Sequence, residues 1–271
     1  MFRPLAMGAG YGLAAICIAL GIVFTLATPL RASAESILEE KKRYSQANEE
    51  LIIRDFFQDR RDGFYLDVGC AFPVQFSTTY YLEKHLAWRG IGIDALDIYA
   101  KNWKLLRPKS QFFTFYVDDH SDDIKTFYRA GVPALSSGIK DRVFNGRKLN
   151  QREVEVQTIT LNKLLELNGV EKVDFLSMDI EEAEPAALRG FDIERYAPEL
   201  VCIEATPSIR EEIHAYFEEH GYERLDRYLA HDDVNWYYAP KSRNAGEQGA
   251  PTKATPDPAG NAPAQSPPNS N

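Results

Sequence analysis

The sequence predicts an open, doubly wound α/β sheet, mostly parallel, that ends in an antiparallel hairpin. Between residues 64 and 117, three short apolar runs alternate with segments of helical spacing. The same alternation resumes at residue 154, and the chain then finishes with two neighbouring strand-like runs, 222–229 and 234–240. Strands that alternate with helices in this way are typical of parallel βαβ crossovers, whose sheet is covered on both faces.

Each element follows from the period of its apolar residues, which is close to two in strands and 3.6 in helices. The predicted elements of the first half are strand 64–69, helix 78–88, strand 90–95, helix 96–106 and strand 111–117. Residues 131–153 are polar and without a period, which predicts an inserted loop. The predicted elements of the second half are strand 154–159, helix 160–169, strand 173–180, helix 184–190, strand 199–205, helix 207–220 and the two hairpin strands, joined by the turn AHDD (230–233).

The first 34 residues predict a transmembrane or signal helix. No charge occurs from Pro4 to Leu30, a length sufficient to span a bilayer. Basic residues follow this segment in larger number than they precede it, which favours a membrane anchor with the domain facing the cytoplasm. The alternative is export after signal cleavage near Ala34, because ASA (32–34) has the small-x-small form of a cleavage site.

Three further segments complete the predicted organisation. Residues 35–58 carry apolar residues at helical spacing and predict an amphipathic linker helix, or a pair of helices, that docks on the domain. The domain itself is predicted at 59–240. Residues 241–271 are rich in proline and contain no aromatic residue, so a disordered tail is expected there.

Composition excludes two classes of function. The formal net charge is −9, which disfavours a nucleic-acid partner because such binding depends mainly on clustered Lys and Arg. The three cysteines, Cys17, Cys70 and Cys202, lack the spacing of a zinc site or a disulfide framework.

The residues that close the strands predict a nucleoside site. In open α/β sheets, ligands bind at the carboxyl ends of the strands. The first strand ends in LDVGCAFP, the second ends at Asp94, and the third is followed by Asp118. An acid after the second strand can accept hydrogen bonds from ribose hydroxyls. No GxGxxG opens the first helix to bind a pyrophosphate, so S-adenosylmethionine is favoured over NAD or FAD.

Two blocks of the sequence resemble the FkbM family of S-adenosylmethionine-dependent methyltransferases, over roughly residues 60–240. DVGCAFPVQFSTTYYLEKHLAWRGIGIDA (67–95) is similar to the family's first block, and VQTITLNKLLELNGVEKVDFLSMDIEEAEPAAL (156–188) to its second and more specific block. The resemblance implies a class I methyltransferase fold that commonly methylates hydroxyl oxygens of sugars, polyketides or other secondary metabolites.

The resemblance also implies roles for individual residues. Asp67 and Gly69 would flank the methionine part of the cofactor, Asp94 would bind the ribose, and Asp118 the adenine amino group. The predicted cofactor-binding set, with the neighbours of these residues, is Asp67, Gly69, Cys70, Asp94, Ala95, Asp118 and Asp119. Asp179, Glu181 and Glu184 would form the acidic triplet beside the transferred methyl group.

Two departures from the family pattern bear on the site. Glu182 stands where the family usually has Gly, which puts the backbone turn there in doubt. The first loop reads CAFP in place of a Gly-rich form, and its proline stiffens it.

Methyl transfer to a hydroxyl requires a group that accepts the hydroxyl proton. Asp179 or Glu181 is the predicted base, because crowded carboxylates raise one another's pKa toward neutrality. His231, in the predicted hairpin turn, is a second candidate, although an exposed turn position is the favoured explanation of this residue. Asp179 and Glu204, at neighbouring strand ends, could instead hold a divalent cation, which is not favoured because spacing supplies no complete ligand set. The favourable interaction of acids with a helix start accounts for at least one of the glutamates.

The predicted function is therefore O-methylation of a small-molecule or glycan acceptor, such as a sugar, a lipid-linked glycan or a secondary metabolite. The alternative is a non-catalytic, membrane-tethered binding module on a degenerate methyltransferase fold, which the CAFP loop and Glu182 would favour.

Overall fold

The computed structural model describes residues 36–140, 143–144 and 147–241. The predicted anchor or signal segment and the part of the predicted tail beyond Lys241 lie outside these ranges and stay predictions. In the described part of the chain, no helix combines the length and the apolar character needed to cross a membrane.

The strands and helices alternate along most of the chain. In chain order the strands are β1 (Phe64–Val68), β2 (Arg89–Asp94), β3 (Ser110–Thr114), β4 (Tyr116–Val117), β5 (Ile124–Ala130), β6 (Val143–Phe144), β7 (Arg147–Lys148), β8 (Gln151–Ile159), β9 (Phe175–Met178), β10 (Leu200–Glu204), β11 (Tyr222–Arg224) and β12 (Asn235–Pro240). The α-helices are α1 (Glu49–Phe57), α2 (Tyr80–Leu86), α3 (Ala100–Leu106), α4 (Leu161–Leu167), α5 (Glu184–Arg189), α6 (Ile193–Tyr196) and α7 (Arg210–Glu219).

Seven strands form the main sheet in the spatial order β11-β12-β10-β9-β1-β2-β3. Strands β3, β2, β1, β9 and β10 are parallel, and β12 runs antiparallel between β10 and β11. The chain proceeds from β1 outward to β3, then returns to place β9 on the other side of β1. The predicted α/β fold, with a mostly parallel sheet and a terminal antiparallel pair, is confirmed.

Both faces of the sheet are buried, because successive residues of each strand point to opposite faces. In β1, Tyr65 packs in the cluster that contains Ile52 of α1, whereas Leu66 and Val68 pack in the cluster that contains Leu164 of α4. These strands therefore lie between helical layers, as the alternation predicts.

The strand predicted at 154–159 does not join the main sheet. It is the second half of β8, which pairs antiparallel with β5 and parallel with β4 in a separate three-stranded sheet. The first half of β8 exposes charged residues such as Glu153 and Glu155, and a central parallel strand buries both faces. Part of the predicted inserted loop, 131–153, is therefore strand, and β5 was not predicted.

Two other predicted elements differ from the structure. The strand predicted at 111–117 is interrupted at Phe115, whose N–H donates to the carbonyl of Asp94, so that β3 stays in the main sheet and β4 joins the small one. The last two strands are not joined by a four-residue turn. Strand β11 ends at Arg224, and residues 225–234 form a longer connection, because Leu225 and Tyr228 within it are buried in the core.

The predicted amphipathic segment is helical mainly in its second half. A short 3-10 turn, Ile37–Glu39, is followed by extended and bent residues before α1 begins at Glu49. Leu51 and Ile52 are buried, and Ile52 packs against the sheet. The carboxylate of Glu50 accepts the N–H groups of Arg43 and Tyr44, so side-chain hydrogen bonds organise the preceding residues.

Arg107, at the end of α3, holds the loop after β1 in place. Its guanidinium is completely buried and donates to the carboxylate of Glu83, the carbonyl of Pro73 and the hydroxyl of Thr79. Removing one partner of a buried charge pair leaves the other charge without compensation.

We expect Arg107→Met to lower the free energy of unfolding by about 3–5 kcal/mol, because Glu83 would stay buried as an unpaired carboxylate. The matched control is Arg195→Gln, since Arg195 pairs with Glu166 on the surface, where an ion pair contributes less than about 1 kcal/mol. Urea denaturation of both variants measures the difference. Equal losses of stability in the two variants would contradict the structural role given to Arg107.

Candidate functional site

A cleft lies at the carboxyl ends of β1, β2 and β9. Its empty volume is about 540 Å³ with the open mouth included. The cleft is at the topological switch point of the sheet. After β1 the chain adds β2 on one side of the sheet, and after β9 it adds β10 on the opposite side. This is the place where open α/β sheets bind ligands.

Gly69 forms the tightest contact at this point. Its φ of +82° is a left-handed conformation that favours glycine, and a Cβ built there would lie 1.8 Å from the carbonyl oxygen of Asp179. The ends of β1 and β9 therefore meet at a distance that no other residue permits. Both Gly69 and Asp179 line the cleft.

Asp94 closes β2 and joins two loops of the cleft wall. One carboxylate oxygen accepts the N–H of Leu96 at 2.8 Å, and the other accepts the N–H of Ala71 at 3.1 Å. Burial raises the pKa of Asp94 to about 6, against the lowering effect of these two amides. A carboxylate offers about four lone-pair sites, so each oxygen can still accept a hydrogen bond from a ligand in the cleft.

The surroundings of Asp94 fit a nucleoside. Ala95, Leu96, Val117 and Phe127 supply apolar surface to the cleft, which suits the face of a base. The hydroxyl of Tyr99 is buried near Asp94, behind the residues that line the cleft, and makes no hydrogen bond within the described residues. The residues at this end of the cleft thus provide hydrogen-bond acceptors and an apolar wall.

The other end of the cleft is acidic. Carboxylate oxygens of Asp179, Glu184 and Glu204 all lie within 4.8 Å of one another, and Glu181 lines the cleft with Asp179. Asp179 is exposed to the cleft but surrounded by protein. Burial, and then the charges of Glu204, Glu181 and Glu184, raise the pKa of Asp179 well above its ordinary value. The sheet therefore brings together acids from three separate elements.

The turn that carries these acids is left-handed at Glu182, the position where the family usually has Gly. Glu181 and Glu182 have φ values of 61° and 76°, a left-handed conformation that costs a non-glycine residue about 1–2 kcal/mol each. The carboxylate of Glu182 accepts a hydrogen bond from the hydroxyl of Ser208 at 2.8 Å. This contact holds the side chain of Glu182 on the loop before α7.

Six predicted site residues are not among the residues that line the cleft, and one of them is Glu184, whose side chain is completely buried. Asp67 is buried in β1, where it accepts a hydrogen bond from the Thr79 hydroxyl at 2.6 Å, and burial raises its pKa to about 6. Cys70 is buried near Gly92 and Trp103. His231 lies in the connection between β11 and β12, and its carbonyl accepts a hydrogen bond from the side chain of Asn48.

Asp118 and Asp119 are engaged in ion pairs. Asp118 is buried and pairs with Lys125 of β5 at 2.5 Å, while Asp119 lies 3.4 Å from Arg189 of α5 and also contacts His120. Of the predicted cofactor-binding residues, Gly69, Asp94 and Ala95 line the cleft. The adenine contact implied for Asp118 stays a prediction.

Several residues at the cleft could not be foreseen from the strand ends. Tyr99 belongs to a 3-10 turn, Asp97–Tyr99, and Phe127 to β5, which was not predicted. Glu49, the first residue of α1, is close enough for its charge to act on Asp179. The sequence of the amphipathic segment, in which Glu49 is one of several charged residues, does not predict that Glu49 lies close to Asp179.

A family model described as "Methyltransferase FkbM domain" matches residues 67–224, which include both ends of the cleft. The chain belongs to this family. The FkbM resemblance of the two sequence blocks is thereby confirmed, and both the Gly69–Asp94 segment and the acidic segment lie within the matched residues. A search of curated protein sequences found no match.

Two solved structures have low similarity to this FkbM-family chain. One is a precorrin-6y C5,15-methyltransferase from Geobacter metallireducens GS-15, with a TM-score of 0.37, 11% identity, and coverage of 65% of this chain and 70% of that chain. Another is a putative RNA methyltransferase, PH1948, from Pyrococcus horikoshii, with a TM-score of 0.35, 13% identity, and coverage of 76% and 89%.

Proposed function

We propose that this protein is an S-adenosylmethionine-dependent methyltransferase that methylates a hydroxyl group of a small-molecule or glycan acceptor. One observation carries the proposal: a single cleft at the switch point contains both Asp94, suited to ribose hydroxyls, and the acidic pair Asp179 and Glu181. The membership of the FkbM family supports the same activity.

The residues of the cleft divide into two groups by chemistry. Asp94 and the apolar wall would hold the nucleoside part of the cofactor, and Gly69, which lines the cleft, would lie beside its methionine part. When bound, S-adenosylmethionine supplies an electrophilic methyl group on a sulfonium sulfur. The charge of this sulfonium is compatible with the acidic end of the cleft.

Asp179 and Glu181 would orient the acceptor and remove its proton. A carboxylate oxygen of either residue accepts the hydrogen bond of the acceptor hydroxyl and then takes its proton as the oxygen becomes methylated. Fixing the hydroxyl in this position also supplies the proximity on which methyl transfer depends. Both carboxylates line the cleft from one tightly turned segment.

Calorimetry of the full chain tests the first half of the proposal. We expect S-adenosylmethionine to bind with a dissociation constant in the range of about 1 μM to 1 mM, as is usual for enzyme substrates, and NAD to bind far more weakly. Folded protein that fails to bind S-adenosylmethionine would refute the proposed function.

A transfer assay tests the second half. Extracted glycans and small molecules, incubated with the protein and S-adenosylmethionine carrying a labelled methyl group, are expected to gain label. Glu181→Gln should reduce the rate by about 10²–10⁴-fold with little change in cofactor affinity, because a general base contributes a factor of this size. Glu182→Gln is the matched control and should retain the rate, since Ser208 holds the Glu182 side chain away from the reaction. Equal rates in the two variants would favour the non-catalytic binding module.

A further inference from the structure

We propose that Asp179, Glu184 and Glu204 bind one divalent cation of the Mg²⁺ or Mn²⁺ class at the acidic end of the cleft. Binding of the ion is independent of the proposed function, whereas its use in methyl transfer rests on that function. Oxygen-rich carboxylate sites are those that these hard cations prefer.

The three carboxylates are placed by rigid elements. Asp179 directly follows β9 and Glu204 ends β10, and these strands are parallel neighbours in which Met178 is paired with Ile203. Positions 179 and 204 therefore lie side by side at the rim of the sheet. Glu184 is the first residue of α5, which packs below the same rim.

The distances suit a single ion. Oxygens of the three side chains lie within 4.8 Å of one another. Two oxygens on opposite sides of one Mg²⁺, each at about 2.0–2.1 Å, lie about 4.2 Å apart, so side-chain movements of less than about 1 Å bring all three carboxylates to one centre. Water and acceptor oxygens would complete the coordination shell, as is usual for Mg²⁺.

Glu184 provides the observation that points to a ligand. Its side chain is completely buried, and one oxygen accepts the N–H of Ile180 at 2.7 Å. The second oxygen, Oε2, is also buried and makes no hydrogen bond within the described residues. A buried carboxylate oxygen without a partner is costly, and a cation among the three carboxylates would satisfy it.

The charge around the cluster favours a cation as well. Glu49 and Glu181 add two further carboxylates close enough to act on Asp179. Within the described residues, Asp179 and Glu184 form no ion pair with a basic side chain. An ion with two positive charges would offset the mutual repulsion of these groups more effectively than any single side chain.

The ion would divide the roles of the acids in methyl transfer. A cation that binds the acceptor oxygen makes the hydroxyl a stronger acid. The proton then passes from the hydroxyl to Glu181, the oxygen forms its bond to the methyl carbon, and the electron pair of the broken carbon–sulfur bond stays on sulfur. Asp179 acts as an ion ligand in this scheme and Glu181 as the base.

Manganese titration of the full chain, freed of metal with EDTA, tests the site. Electron paramagnetic resonance measures free Mn²⁺, and we expect one saturable site for Mn²⁺ with which Mg²⁺ competes. Glu204→Gln and Glu184→Gln should each weaken Mn²⁺ binding by about tenfold or more, because each removes a ligand charge. Glu182→Gln is the control, since Glu182 faces Ser208, and it should bind Mn²⁺ like the wild type.

The outcomes separate the ion site from the proposed function. The inference is overturned if the wild-type protein binds no Mn²⁺ at concentrations on the order of 1 mM, the weak limit of such sites. This test uses only the wild type, so it does not depend on whether a variant folds. Glu204→Gln and Glu182→Gln proteins that are folded and bind Mn²⁺ equally also overturn it. Cofactor binding measured in EDTA reports on the methyltransferase proposal alone, so either proposal can fail while the other stands.

Discussion

Replacing Gly69 with alanine is expected to destabilise the protein by about 4 kcal/mol or more, the range reached when a core contact is sterically disrupted. The added Cβ would overlap the carbonyl oxygen of Asp179, at 1.8 Å, and neither atom belongs to a flexible side chain. The ends of β1 and β9 would have to separate, and the left-handed φ of +82° would add strain.

Gly169→Ala is the matched control for this prediction. Gly169 also has a left-handed φ, +63°, but a Cβ there would meet no atom within 4 Å. Its substitution should cost only the backbone strain, about 1–2 kcal/mol. Urea denaturation compares the two variants, and a loss for Gly69→Ala no greater than that for Gly169→Ala would show that β1 and β9 do not meet as described.

Replacing Asp94 with asparagine is expected to weaken S-adenosylmethionine binding by about 10–100-fold, because hydrogen bonds to a charged group contribute about 1.5–3 kcal/mol. The Asp94 carboxylate now accepts hydrogen bonds from the backbone N–H groups of Ala71 and Leu96. In asparagine, an NH₂ group would replace one of the two accepting oxygens and face one of these N–H groups. Calorimetry measures the change in affinity. Asp97→Asn is the control, because Asp97 lies three positions further along the chain and is exposed to solvent.

The same carboxylate predicts how binding depends on pH. The pKa of Asp94 is raised to about 6 by burial, so the carboxylate is ionised above this pH and protonated below it. The ionised form accepts hydrogen bonds with both oxygens, so cofactor affinity should be full above about pH 7 and fall by at most about tenfold per pH unit below pH 6. An Asp94→Asn protein should lose this dependence. An identical pH profile in wild type and variant would assign the titration to another group.

Much of the cleft could be predicted because its residues close the strands in sequence. Gly69 and Asp94 follow short apolar runs, and an acid or glycine at a strand end is visible without knowing the fold. Asp118 also follows a strand, and the structure adds an ion pair with Lys125 that the strand end alone does not predict. Lys125 comes from β5, whose mixed composition carried too weak a pattern to predict a strand.

The small sheet was mispredicted for a related reason. The apolar period of residues 154–159 correctly indicates a strand, but periodicity does not state which sheet the strand joins. The exposed charges at Glu153 and Glu155 decide that β8 stays outside the main sheet, since a central position would bury them. The last two residues of the predicted strand 111–117 pair with β8 as β4.

The sequence by itself determined the alternation of strands and helices, the acids at the strand ends and the membership of the FkbM family. These features are local, because a period or a motif depends on residues close together in the chain. Only the tertiary structure decided that Asp179, Glu184 and Glu204 meet within 4.8 Å, and that Glu49 and Tyr99 lie beside the cleft. Such convergence depends on the order of strands in the sheet, and an apolar period reports only which side of an element faces the core, not which element is packed against it.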